Sequence, residues 1–164
     1  MTLSSLSRRA TLVGLVVAAG LISAGAQAAG RVDLNQNDQG VMLHGYDPVA
    51  YFTAGAPAQG SPEFSAEYDG ATYLFVSTSN RDAFLAQPAA YVPAYGGFCA
   101  MGTALEKKLD GDPQVWRIVD GRLYLNVNTD VQKRWSEDVP GNIAKADATW
   151  PQIRDVPADV LNAK

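Results

Sequence analysis

The chain has 164 residues, 13 basic against 17 acidic, for a formal net charge of −4 with its single histidine neutral. That balance offers no basic stripe for a phosphate backbone or an anionic lipid surface, which excludes nucleic acid as a partner. One cysteine cannot close an internal disulfide, so a disulfide-stapled fold is excluded as well.

Residues 1–28 read as an export signal. Arg8 and Arg9 form the charged start, Thr11 to Ala24 is apolar and uncharged, and Ala26-Gln27-Ala28 is a small-x-small cleavage site. The apolar stretch falls short of the ~20 residues that span a bilayer, so no membrane span is expected after cleavage. Ser7-Arg8-Arg9-Ala10-Thr11-Leu12 resembles the bacterial twin-arginine motif, with Thr11 where that motif carries phenylalanine; the general secretory route stays open. The expected location is the periplasm or the cell exterior. Losing both arginines takes the mature charge to about −6.

Residues 29–40 are polar and predict a flexible arm, and residues 41–164 form one domain. In residues 41–52, Gly45 and Pro48 predict two short extended pieces around a turn. Phe64 to Tyr68 and Thr72 to Val76 flank Asp69-Gly70, and Val115 to Val119 and Arg122 to Val127 flank Asp120-Gly121; both pairs predict hairpins, because a two-residue turn demands positive φ. In the second hairpin, Leu123, Leu125 and Val127 are expected on one face, with Tyr124 and Asn126 on the other. Ser79-Asn80-Arg81-Asp82 reads as a helix start, and the helix runs to Pro88. Residues 98–105 have no clear pattern, and Asp110-Gly111-Asp112 reads as a solvated loop. From Thr129 to Trp150 two helical pieces are expected, broken at Val139-Pro140-Gly141. Two hairpins forming a small antiparallel sheet, with short helices and a helical C-terminal tail, make the class α+β.

Several blocks in fixed order now stand out: Gly45-Tyr46-Asp47-Pro48-Val49-Ala50-Tyr51-Phe52, Tyr68-Asp69-Gly70-Ala71-Thr72-Tyr73-Leu74-Phe75, Asn80-Arg81-Asp82-Ala83-Phe84, Tyr95-Gly96-Gly97-Phe98-Cys99-Ala100 and Asp120-Gly121-Arg122-Leu123-Tyr124-Leu125. Together they resemble the YHS domain family, in its exported bacterial branch, over nearly all of the mature chain. The resemblance implies metal handling, carried in the wider family by three cysteines. Here those positions hold Ala50, Val76 and Asn80, so that site is not carried over.

The remaining soft donors are few. Cys99 is the only thiol and His44 the only imidazole; Met101 follows the first by two residues and Met42 precedes the second by two. If residues 41–44 are extended, Met42 and His44 share a face. A thiolate, an imidazole and one or two thioethers favour copper, above all Cu(I). The expectation is therefore a periplasmic copper-binding domain on Cys99 and His44, with Met101 and Met42 as weaker ligands. Asp47, Tyr46, Tyr95 and Phe98 would line the pocket or support the ligands. Haem is the alternative cofactor, held by the same axial donors, though no covalent attachment motif is present. A Cys99–His44 thiol enzyme and a metal-free interaction module that docks on a periplasmic protein are the other readings.

Overall fold

The computed structural model describes residues 31–163, so the expected export signal and its cleavage site lie outside the described residues. Two hairpins form as the Asp-Gly turns require. Strand β1 (Ser61–Tyr68) pairs antiparallel with β2 (Ala71–Phe75), and β3 (Asp112–Val119) with β4 (Arg122–Asn126). Asp69 and Gly70 take φ of 49° and 76°, Asp120 and Gly121 take 50° and 74°, the left-handed pair of a type I′ turn. In each hairpin the register shifts along the longer strand, and each irregular stretch carries a proline, Pro62 or Pro113, which cannot donate to a ladder. The hairpins stay two separate two-stranded sheets rather than merging into one.

Short helices fill the rest: α1 (Ala50–Thr53), α2 (Thr78–Ala86), α3 (Ala100–Ala104), α4 (Thr129–Trp135), α5 (Val139–Ile153) and α6 (Ala158–Asn162). The arrangement is α+β. Helix α2 starts two residues earlier than the sequence suggests, because Ser77 and not Ser79 accepts the capping bond from the Asn80 N–H at 3.2 Å. Val139-Pro140-Gly141 begins α5 instead of interrupting a helix. Asp138 accepts from the Gly141 N–H at 3.0 Å, and a proline in the first turn lacks only a donor that would be unsatisfied anyway.

Two hydrophobic cores result. The first gathers Tyr73, Phe75, Leu123 and Leu125 around a fully buried Phe84, whose ring lies 4.7 Å from Tyr73 and 5.2 Å from Phe75. The second gathers Tyr95, Ala100, Tyr124, Trp135 and Ala146. Strand β4 belongs to both: Leu123 and Leu125 face the first core and Tyr124 the second. The alternation of Leu123 and Leu125 with Tyr124 is as expected, and Leu123, Tyr124, Leu125 and Asn126 are all buried. A strand covered on both sides has no solvent face to keep polar.

Two further expectations are corrected. In residues 41–52 only single bridges at Val41, Met42 and Tyr46 are extended: Leu43–Gly45 form a tight turn with positive φ at all three positions, and α1 follows Pro48. From residue 31 onward the arm is fastened rather than loose. Arg31 forks onto Asp33 at 2.9 and 2.6 Å and reaches Asp69, and the Asn35 N–H donates to the Gly96 carbonyl at 2.8 Å. Gly96, at φ 60°, is where the arm comes closest; a Cβ there would stand 2.0 Å from the Asp33 carbonyl oxygen.

Candidate functional site

Cys99 closes a short bridge, its N–H donating to the Leu109 carbonyl at 2.9 Å, and then opens α3. Its sulfur accepts the Gly102 N–H at 3.3 Å, as a serine oxygen would in a helix cap, and its S–H points at Asn126 Oδ1, 3.6 Å away. The residue has no solvent exposure, and burial pushes the thiol pKa up. A reactive or metal-binding cysteine needs the opposite shift and an approach path.

His44 lies elsewhere in the hydrogen-bond network. It sits at the exposed tip of the 43–45 turn with φ 52°, and its Nε2 meets Asp110 Oδ1 at 2.8 Å. The Asn35 amide donates to the same oxygen at 2.6 Å. Asp110, read from sequence as part of a solvated loop, is thus a hub between the arm and the turn. Among the described residues no hydrogen bond or ion pair joins His44 to Cys99, and no three His, Cys, Asp or Glu side chains gather where a metal ion could sit. Met42 is buried in the first core, and Met101 packs against the second. The Cys99 thiol is sealed and capped, the His44 imidazole is exposed and paired with Asp110, and the Met42 and Met101 thioethers belong to different cores. The left-handed turn also removes the extended backbone that would have given Met42 and His44 a common face.

Asp47 is fully buried and does not orient His44. Its Oδ1 accepts from the N–H groups of Val49 and Ala50 at 2.8 and 3.2 Å; its Oδ2 accepts from the Val76 N–H at 2.9 Å and the Asn80 amide at 2.7 Å. One carboxylate thereby starts α1, ends β2 and anchors α2. Tyr46 packs on the first core, and Tyr51 ties α1 to β3 through a 3.0 Å bond to the Pro113 carbonyl.

A concave feature lies between the cores. A cleft of about 330 Å³ is lined from the arm, both hairpin turns, the 89–96 segment and the end of α5. Its interior includes Met42, Tyr73, Tyr95 and Trp150, and three arginines enter it: Arg31, Arg122 and Arg154. Of the residues singled out from sequence, Met42 and Tyr95 are part of this lining; His44, Cys99, Met101, Asp47, Tyr46 and Phe98 are not. Tyr95 is held there by a left-handed turn, φ 54°, at a cost for a residue with a Cβ of about 1–2 kcal/mol. Its hydroxyl donates to Asp147 Oδ1 at 3.0 Å, and burial beside that carboxylate pushes its pKa up. Asp147 also meets Arg122 at 3.3 Å, while the Arg122 guanidinium lies over the Tyr95 and Tyr124 rings at 5.7 and 5.3 Å.

Behind the cleft, Lys108 is 2% exposed. Its ammonium donates to the carbonyls of Val32, Arg154 and Val156 at 2.9, 2.5 and 2.7 Å and lies over the Phe98 and Trp150 rings. Burial pulls its pKa down, and Asp33 and Asp155 oppose that. Lys108 joins the arm to the end of α5 and so fixes two walls of the cleft. Sequence reasoning missed the three arginines and Lys108, because solitary basic residues far apart in the chain carry no spacing signal.

Scans against protein-family models, curated proteins and solved structures each return no match to this chain.

Proposed function

We propose that this chain is an exported, non-catalytic binding module of the YHS type, in which a hydrogen-bonded carboxylate stands where the wider family has a thiolate metal site. The observation that carries this reading is the Asp47 knot. Ala50, Val76 and Asn80 are the positions at which the resemblance expects cysteines, and all three donate to one buried carboxylate. Residues 26 and 30 positions apart in sequence thus meet at one point, as a shared ancestral site requires. They meet as N–H donors, and a metal ion needs lone pairs instead. The reading as a binder rather than a catalyst is supported by Cys99, whose capped, desolvated sulfur is the reverse of an activated nucleophile.

A metal-bearing form is the second reading, favoured by the His44–Asp110 contact, since a carboxylate on one ring nitrogen is how proteins orient a ligating imidazole. Metal analysis of the protein purified from the periplasm decides between the two. The module reading expects no stoichiometric copper or iron, and no change in Cys99→Ser. One copper or iron per chain, lost in His44→Ala or Cys99→Ser, would overturn it.

A further inference from the structure

We infer that the cleft between the two cores is a binding site for a small planar carboxylate, an aromatic ring bearing one oxyanion. This rests on reading the chain as a binding module and adds the chemistry of what is bound. The shape comes first. At about 330 Å³ the cleft is at the small end of small-molecule pockets, room for one ring or two fused rings. Its lining includes Tyr95 and Trp150, whose ring centroids are 6.0 Å apart at an interplanar angle of 59°, and the buried Met42. Flat apolar surfaces and a polarizable sulfur suit a flat apolar ligand.

Charge comes second. The chain as a whole is acidic, yet the cleft is lined by three arginines against two aspartates, Asp33 and Asp69. Arg31 is taken up by both of those aspartates, forking onto the first and bonding the second. That ion pair holds the Asp33 carboxyl below the usual carboxylate range. The lining is left with one net positive charge, and Arg122 and Arg154 are the guanidiniums onto which no aspartate of the lining forks. Their ion pairs are long, 3.3 Å from Arg122 to Asp147, and 3.4 and 3.5 Å from Arg154 to Asp33 and Asp155. A ligand carboxylate can accept the fork geometry that these contacts do not use. Positive charge confined to a concave site on an acidic protein admits a small anion and repels a large polyanion.

Preorganisation comes third. The guanidinium of Arg122 is stacked on two tyrosine rings, and Asp147 ties it to the Tyr95 hydroxyl. Arg154 is the C-cap of α5, and its own carbonyl is clamped by Lys108. The Arg122 cation and the Arg154 backbone are thus set in place before a ligand arrives, which lowers the ordering cost of binding.

Calorimetry on the mature chain tests this with 1-naphthoate, its neutral amide and inorganic phosphate. The expected result is one naphthoate per chain, with the amide weaker by about tenfold or more. Phosphate alone binds more weakly than naphthoate, since it cannot use the rings. Arg122→Gln and Arg154→Gln each weaken naphthoate by about threefold or more, and the double variant by about tenfold, while Arg81→Gln, outside the cleft, leaves it unchanged. Equal binding of acid and amide by the unaltered protein would overturn the inference without relying on any variant. So would a folded double variant that binds as the parent does, or no naphthoate binding at millimolar concentration. Metal content is read separately on the same preparation: stoichiometric metal would overturn the module reading, whereas a metal-free chain that ignores naphthoate would overturn only this inference.

Discussion

Replacing Asp47 tests the arrangement on which the fold around the first core depends. The carboxylate has no solvent exposure and accepts four hydrogen bonds between 2.7 and 3.2 Å. In Asp47→Asn one oxygen keeps Val49 and Ala50, and the new NH₂ group faces the Val76 N–H and the Asn80 side chain. Asn80 can flip and offer its oxygen, which rescues one bond and leaves the Val76 N–H orphaned. A buried orphan donor costs about 1–3 kcal/mol, and the lower half of that range applies because the Val76 side chain is exposed and water is near. Asp47→Ala orphans all four donors and costs about 3–5 kcal/mol, a large share of the ~5–15 kcal/mol of a typical domain. Asn80→Ala, which removes one charge-assisted bond, costs about 1.5–3 kcal/mol. Urea unfolding at neutral pH, followed by tryptophan fluorescence, measures all three. A loss below about 0.5 kcal/mol in Asp47→Ala, with the unfolding slope unchanged, would refute the claim that this carboxylate holds α1, β2 and α2 together.

Two further outcomes are expected. The Cys99 thiol is held neutral by burial, so the folded state keeps a proton that the unfolded state releases above its ordinary pKa of ~8.5; Cys99 therefore subtracts nothing below that pH and lowers stability as pH rises from there through the raised folded value. Thiol labelling at pH 8 should wait for unfolding, and stability should fall less steeply above pH 8.5 in Cys99→Ser than in the parent; prompt labelling of the folded chain would show the sulfur to be accessible. Lys108→Met keeps an unbranched side chain but removes the ammonium from over Phe98 and Trp150 and leaves three carbonyls without their donor. It should cost about 1–3 kcal/mol and bring hydrogen exchange and proteolysis forward at residues 31–36, and unchanged protection there would sink the assignment of Lys108 as the fastening of the arm.

What the sequence made legible was local. The two Asp-Gly turns dictate their hairpins because only a few residue types accept positive φ in succession, and the α+β class follows from hairpins and helices lying apart along the chain. The burial of both faces of β4 was hidden because alternation sorts Tyr124 and Asn126 onto one face without showing that a second core covers it. The 43–45 turn was hidden because Leu43 has no preference for positive φ; backbone bonds from the Gly45 N–H to the Met42 carbonyl and from the Tyr46 N–H to the Leu43 carbonyl close it. The candidate site was the least legible part. Soft donors drew attention to Cys99 and His44, yet long-range placement caps one within the interior and pairs the other with Asp110. The cleft draws instead on Arg31, Arg122 and Arg154, three arginines with nothing in common along the chain, and Tyr95 and Met42 entered the sequence reading for a different chemistry.

Because β4 is a party wall between the two cores, neither half of the molecule can be removed and leave the other intact. Loosening the first core bares one side of Leu123 and Leu125, loosening the second bares Tyr124, and either loss undermines the ladder to β3. The amides of residues 123–126 should therefore exchange with solvent only when the whole molecule opens, and a chain severed between α3 and β3 should survive as a reassembled pair or not at all. A cleft framed by two bodies welded along a common strand keeps a fixed gauge, so it will select its occupant by fit rather than by closing around it.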